Sequence, residues 1–155
     1  MFRNFSLIML CLFLLSPQYV FAESGNIEIV EVVLARNVVD LEPQGVFEPP
    51  AYCGKSGDRE NMLPVVHSEI DELVYLWIKV KSPIAETLRH TWYKAGMGWE
   101  KMAEVTLNIQ KSPGFRTWSS KKIIPDVQNC KWMVVISTAS DPENALCKVD
   151  FEIKP

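Results

Sequence analysis

Two short blocks hold the side chains best suited to chemistry: His90-Thr91-Trp92, and Arg116-Thr117-Trp118-Ser119-Ser120-Lys121. An arginine offers a planar fork of donors that matches a carboxylate, and indoles offer flat apolar area for stacking. On extended chain, residues two apart share a face, so His90 joins Trp92 on one strand while Arg116, Trp118 and Ser120 line up on another. Were the two strands neighbours, these groups with Lys121 could bind a carboxylate, a sugar or a peptide. The competing reading places the indoles in the core and has His90 and Arg116 satisfy carbonyls at a sheet edge or turn. Ser119 or Ser120 with His90 as base also raises a small hydrolase as the alternative function. However, no G-x-S-x-G elbow surrounds the serines, and no spacing orients an acid on either histidine. No catalytic residue is assigned on this basis. His67 beside Glu69 and Asp71 is a poor metal set without C-x-x-C spacing, so neither metal nor cofactor is expected. Lys111, Arg116, Lys121 and Lys122 form a modest basic stretch that reads as a solvated edge resisting strand pairing. With a net charge of -3 overall, nucleic acid is not an expected partner.

The elements that must position these residues follow a period of two and not of 3.6. Candidate strands run over residues 27–36, 73–80, 87–94, 102–109, 115–122, 132–137 and 146–153. The second has apolar residues on both faces, Val74, Leu76, Ile78 and Val80 against Leu73, Tyr75 and Trp77, as a central strand would. Gly96-Met97-Gly98, able to hold positive φ, should close a hairpin, and Ser112-Pro113-Gly114 and Asp141-Pro142-Glu143-Asn144 should separate later strands. Residues 41–70 form a long insert with Pro43, Pro49, Pro50 and Pro64, with room for an extra edge strand near Leu63–His67. About seven short strands predict an all-β, two-layer antiparallel sandwich of immunoglobulin-like type, with a small β-barrel as the alternative.

At the N-terminus, Arg3 precedes an apolar run from Phe5 to Leu15, too short to span a bilayer as a helix. Pro17 and then Val20-Phe21-Ala22 follow, so residues 1–22 read as a cleaved secretory signal and 23–155 as one mature domain. The mature part would lose only Arg3 among its charges and carry -4. It would keep Cys53, Cys130 and Cys147, an odd number consistent with one bridge and one thiol in a periplasmic or secreted protein. No stable membrane span is expected after cleavage.

Several blocks together carry a family resemblance: Leu34-Ala35-Arg36, Glu42-Pro43, Tyr75-Leu76-Trp77, His90-Thr91-Trp92, the Arg116–Lys121 block and Trp132-Met133-Val134-Val135. In this order they resemble a bacterial exported family catalogued as domain of unknown function 2914, over residues 29–153. The family usually has Trp where Phe115 stands and Gly where Cys130 stands. A cysteine in that second position, with another in the enlarged loop, suggests a Cys53–Cys130 bridge with Cys147 free. The resemblance implies no activity. The expected role is a non-catalytic binding or interaction module of the envelope, with a protein or glycan as partner.

Overall fold

The computed structural model describes residues 26–54, 62–125 and 127–155. The signal segment expected over 1–22 lies outside them. Among the described residues nine strands form: β1 (Glu28–Val39), β2 (Glu42–Val46), β3 (Val65–His67), β4 (Leu73–Ser82), β5 (Glu86–Ala95), β6 (Trp99–Ile109), β7 (Ser112–Lys122), β8 (Lys131–Thr138) and β9 (Ala145–Lys154). One sheet has the order β2-β1-β4-β7 and the other β3-β9-β8-β5-β6, with only the β3–β9 pair parallel. The molecule is therefore the expected two-layer β-sandwich, and the sheets do not close into a barrel.

The two strands beyond the expected seven both come from the insert. β3 coincides with the suspected edge strand. β2 contains Pro43 and Gly45, residues that ordinarily argue against a strand, and is tolerated because it forms a sheet edge. Among the described residues Gly45 is the one glycine at positive φ, 64°, so the turn at Gly96 and Gly98 does without that conformation. A Cβ on Gly45 would come within 3.3 Å of Arg36.

Alternation delivers the core. Leu34, Leu76, Ile78 and Val80 of the four-stranded sheet face Leu88, Trp92, Trp132, Val134, Val149 and Phe151 of the other, all fully buried. Phe151 stacks on Trp132 and meets Trp92 edge-on, with ring centroids 6.2 Å apart in both pairs. Such aromatic contacts contribute beyond the area they bury.

The disulfide joins Cys53 to Cys147, not to Cys130, which is free. Strand geometry explains the correction. The segment carrying Cys53 lies along the start of β9, where the Gly54 N–H donates to the Lys148 carbonyl at 3.1 Å. The Cys130 carbonyl instead accepts from the Ile153 N–H at 2.9 Å, five residues further along the same strand. At about 3.3 Å per residue these places are some 17 Å apart, beyond the reach of a disulfide.

Candidate functional site

β5 and β7 belong to different sheets and face each other across the interior, so the residues expected to converge are divided. His90 and Trp92 point into the core and are fully buried. On β7 the inward residues are Thr117, Ser119 and Lys121, opposite Ile78, Leu76 and Val74 of β4. Arg116, Trp118 and Ser120 therefore lie on the outer surface of the four-stranded sheet. The single cluster imagined from the sequence does not form, because the two strands meet through the core and not side by side.

What does meet His90 is the residue between two of the expected ones. Ser119 Oγ is hydrogen-bonded to His90 Nδ1 at 2.8 Å, linking the two layers. Desolvation pushes the His90 pKa down to about 4, so the imidazole is neutral near pH 7. Among the described residues neither its Nε2 nor the buried Trp92 Nε1 has a hydrogen-bond partner. This pair has the serine–histidine contact that a hydrolase requires. Yet Ser119 is only 4% exposed, and among the described residues no carboxylate holds the far nitrogen of the ring. A substrate carbonyl reaches Ser119 Oγ only if the layers part. Ser120 projects from the opposite face and cannot approach His90. Lys121 also points inward, its ammonium 5.2 Å from the Trp132 ring centroid. Desolvation lowers its pKa.

The outer face is built in cross-strand rows: Tyr75 opposite Ser120, Trp77 opposite Trp118, and Lys79 opposite Arg116. Trp77 lies on this outer side yet is 2% exposed. The β1–β2 hairpin reaches it, since Trp77 Nε1–H donates to the Leu41 carbonyl at 2.8 Å. The hairpin turn holds Asp40 and Leu41 at φ of 50° and 66°, the left-handed pair that a two-residue turn between twisted strands requires. Leu41 is a poor residue for that conformation, and the indole hydrogen bond helps to offset its cost. From the same hairpin Glu42 pairs with Arg116 at 3.3 Å. Trp118 and Tyr75 remain half-exposed beside it.

Next to Tyr75 is a cleft of about 330 Å³, lined also by Arg36, Asn37, Asp71 and Glu72. Its wall is rigid. Arg36 Nε donates to Asp71 Oδ1 at 2.7 Å, and the guanidinium sits 4.4 Å from the Phe47 ring centroid. Asp71 Oδ2 accepts the His67 N–H at 2.9 Å, which ties the turn before β4 to β3. Because the Asp71 side chain is buried, Asp71→Ala leaves two donors without their acceptor and should cost about 2–4 kcal/mol. Urea denaturation of the variant measures this, and a loss under about 0.5 kcal/mol would show that the turn is held by other contacts.

Sequence reasoning missed Arg36, Asp71 and Tyr75 as neighbours, since they are 35 and 39 residues apart along the chain from Arg36 and share no motif. The available signal was the apolar outer face of β4, which a strand covered on one side only would not need. Among the described residues no His, Cys, Asp and Glu group is arranged to hold a metal. His67 Nδ1 instead lies 3.2 Å from the Pro155 carbonyl oxygen.

No curated protein matches the chain. The resemblance read from residue 29 onward is matched over a narrower span, which takes in β5 to β9 with the His90-Thr91-Trp92 and Arg116–Lys121 blocks but leaves out β1 and β4. Over residues 85–153 the chain matches the model of the family described as Protein of unknown function (DUF2914).

Proposed function

We propose that the protein is an exported binding module, cleaved after residue 22, which offers the outer face of its four-stranded sheet to a protein or glycan of the bacterial envelope. The observation that carries this reading is the row of Arg116, Trp118 and Ser120 beside Tyr75 and the neighbouring cleft. Half-exposed aromatic rings supply stacking area at low entropic cost, and the guanidinium supplies a directed donor pair. The Cys53–Cys147 disulfide favours an oxidising compartment, periplasmic or extracellular. No helix among the described residues is long and apolar enough to cross a membrane. His90, Trp92 and Ser119 serve this module as the interior that holds β7 in place.

Arg116→Ala and Trp118→Ala should each reduce capture of partners from an envelope extract about tenfold, the range expected when an anchoring side chain is truncated. The exposed Arg116–Glu42 pair contributes little to stability, so Arg116→Ala should keep the wild-type denaturation midpoint. Undiminished capture by both folded variants would remove this face from the binding surface.

A further inference from the structure

Among the described residues the sandwich has four edge strands, and three of them are blunted. β2 has five residues and includes Pro43, and β3 has three. β7 carries Pro113 near its start and turns Lys121 inward, a charge that an added strand would have to bury. β6 differs: it runs for 11 residues without proline or glycine. Among the described residues it pairs with β5 alone. Its other row of backbone N–H and C=O groups has no backbone partner among the described residues. A register shift near Met102 leaves Ala103–Ile109 as the regular stretch. There the inward residues Ala103, Val105 and Leu107 are half-buried, while Glu104, Thr106 and Asn108 are exposed.

We propose that β6 pairs antiparallel with β6 of a second copy of this chain, about a two-fold axis at Val105. The row of free backbone groups calls for another extended strand, and the side chains of β6 suit β6 itself. In this register Ala103 faces the partner's Leu107 on the inner side, small against large. On the outer side Glu104 faces the partner's Thr106, so no like charges meet. Glu104 is fixed for that role by Arg89, at 2.6 Å and 3.1 Å, and by Lys101. Each chain has one such edge, so the pairing closes as a dimer with a continuous ten-stranded sheet and does not propagate. The surface lies apart from the Arg116–Trp118 face, and either can hold without the other. Edge pairing over seven residues buries little area, so the association is weak, with a dissociation constant on the order of 10–100 μM.

Sedimentation equilibrium of the exported full-length chain over about 5–500 μM reads this directly. Wild type should show a monomer–dimer equilibrium. Thr106→Glu sets a carboxylate against the partner's Glu104 twice in each dimer, and should weaken association on the order of tenfold. Thr106→Lys sets an opposite charge there and should strengthen it by a similar factor. Thr106 is exposed and stands opposite Arg89 of β5, so both variants should fold, Thr106→Lys losing up to about 1 kcal/mol of stability and Thr106→Glu losing none. A wild type that stays monomeric throughout would overturn the proposal. So would a dimer indifferent to both substitutions, or one that both shift in the same direction.

Discussion

Cys53→Ser is expected to lower the free energy of unfolding by about 4 kcal/mol, and dithiothreitol should lower that of the wild type by the same amount. The bridge spans 94 residues of chain, so its removal gives the unfolded state a large gain in conformational freedom. It also ties the segment between β2 and β3, which passes from one sheet to the other, onto the start of β9. Phe47, 1% exposed, is the nearest core residue on that segment, and the Gly54–Lys148 hydrogen bond lies beside the bridge. Ala51 also packs against the core, so the bridge and the hydrogen bond act with apolar burial to hold residues 51–54 against the sheet. Three variants separate the contributions. Cys53→Ser should be destabilised and no longer respond to the reductant. Cys147→Ala should lose somewhat more, because its side chain is 4% exposed and its removal opens space in the core. Cys130→Ser should keep the wild-type midpoint within about 0.5 kcal/mol, since a half-exposed thiol has no bridge to lose. A large loss at Cys130 would mean that the segment pairs with the other end of β9.

The pairing was not legible in the sequence for the same reason that the candidate face was only partly so. Period-two alternation fixes which residues share a face, and it correctly separated Val74, Leu76, Ile78 and Val80 from Tyr75 and Trp77. It does not say which strands are neighbours. His90, Trp92 and the Arg116 block were each read on the right faces of their strands. Whether those faces meet depends on β5 and β7 lying in opposite layers, a long-range fact that local patterning does not carry. The cysteines pose the same difficulty, since three thiols allow three pairings and the choice turns on a five-residue offset along β9. β2 was hidden by Pro43, whose missing N–H argues against a strand unless it lies at an edge. The hairpin over Trp77 was hidden because Leu41 is an unusual residue for a left-handed turn. Legible outright were the all-β class and both ends of all seven expected strands to within three residues, and the edge strand suspected near Leu63–His67 forms at Val65–His67.

The buried imidazole should make the sandwich sensitive to acid in a defined window. His90 has a folded pKa of about 4 because burial disfavours its charged form, against about 6.5 in an unfolded chain. Between those values the unfolded chain binds a proton that the folded chain refuses, so stability falls as pH falls from about 6.5 to about 4. The full loss is about 3 kcal/mol at 1.36 kcal/mol per unit, and below pH 4 this group adds nothing further. Asp150 acts in the opposite sense: burial raises its pKa, against the pull of Lys148 and Lys131, so its protonation in the folded state offsets part of the loss at the acid end. Glu104, held at about 2 by Arg89 and Lys101, stays ionised throughout. Urea denaturation at pH 7, 6, 5 and 4.5 should therefore show a slope approaching one proton in wild type. His90→Gln cannot titrate and should be nearly flat across the same range. Ser119→Ala removes the hydrogen bond and costs about 1–2 kcal/mol at every pH, yet it keeps His90 buried and so keeps the slope. A wild type as stable at pH 4.5 as at pH 7 would mean that the ring reaches water or finds an acidic partner. Ser119 sits between Trp118 and Ser120 on β7. Between pH of about 6.5 and about 4 the folded ring stays neutral and its bond to Ser119 intact, so the face proposed to bind is lost only as the whole sandwich unfolds more readily, and not by a local loosening of β7.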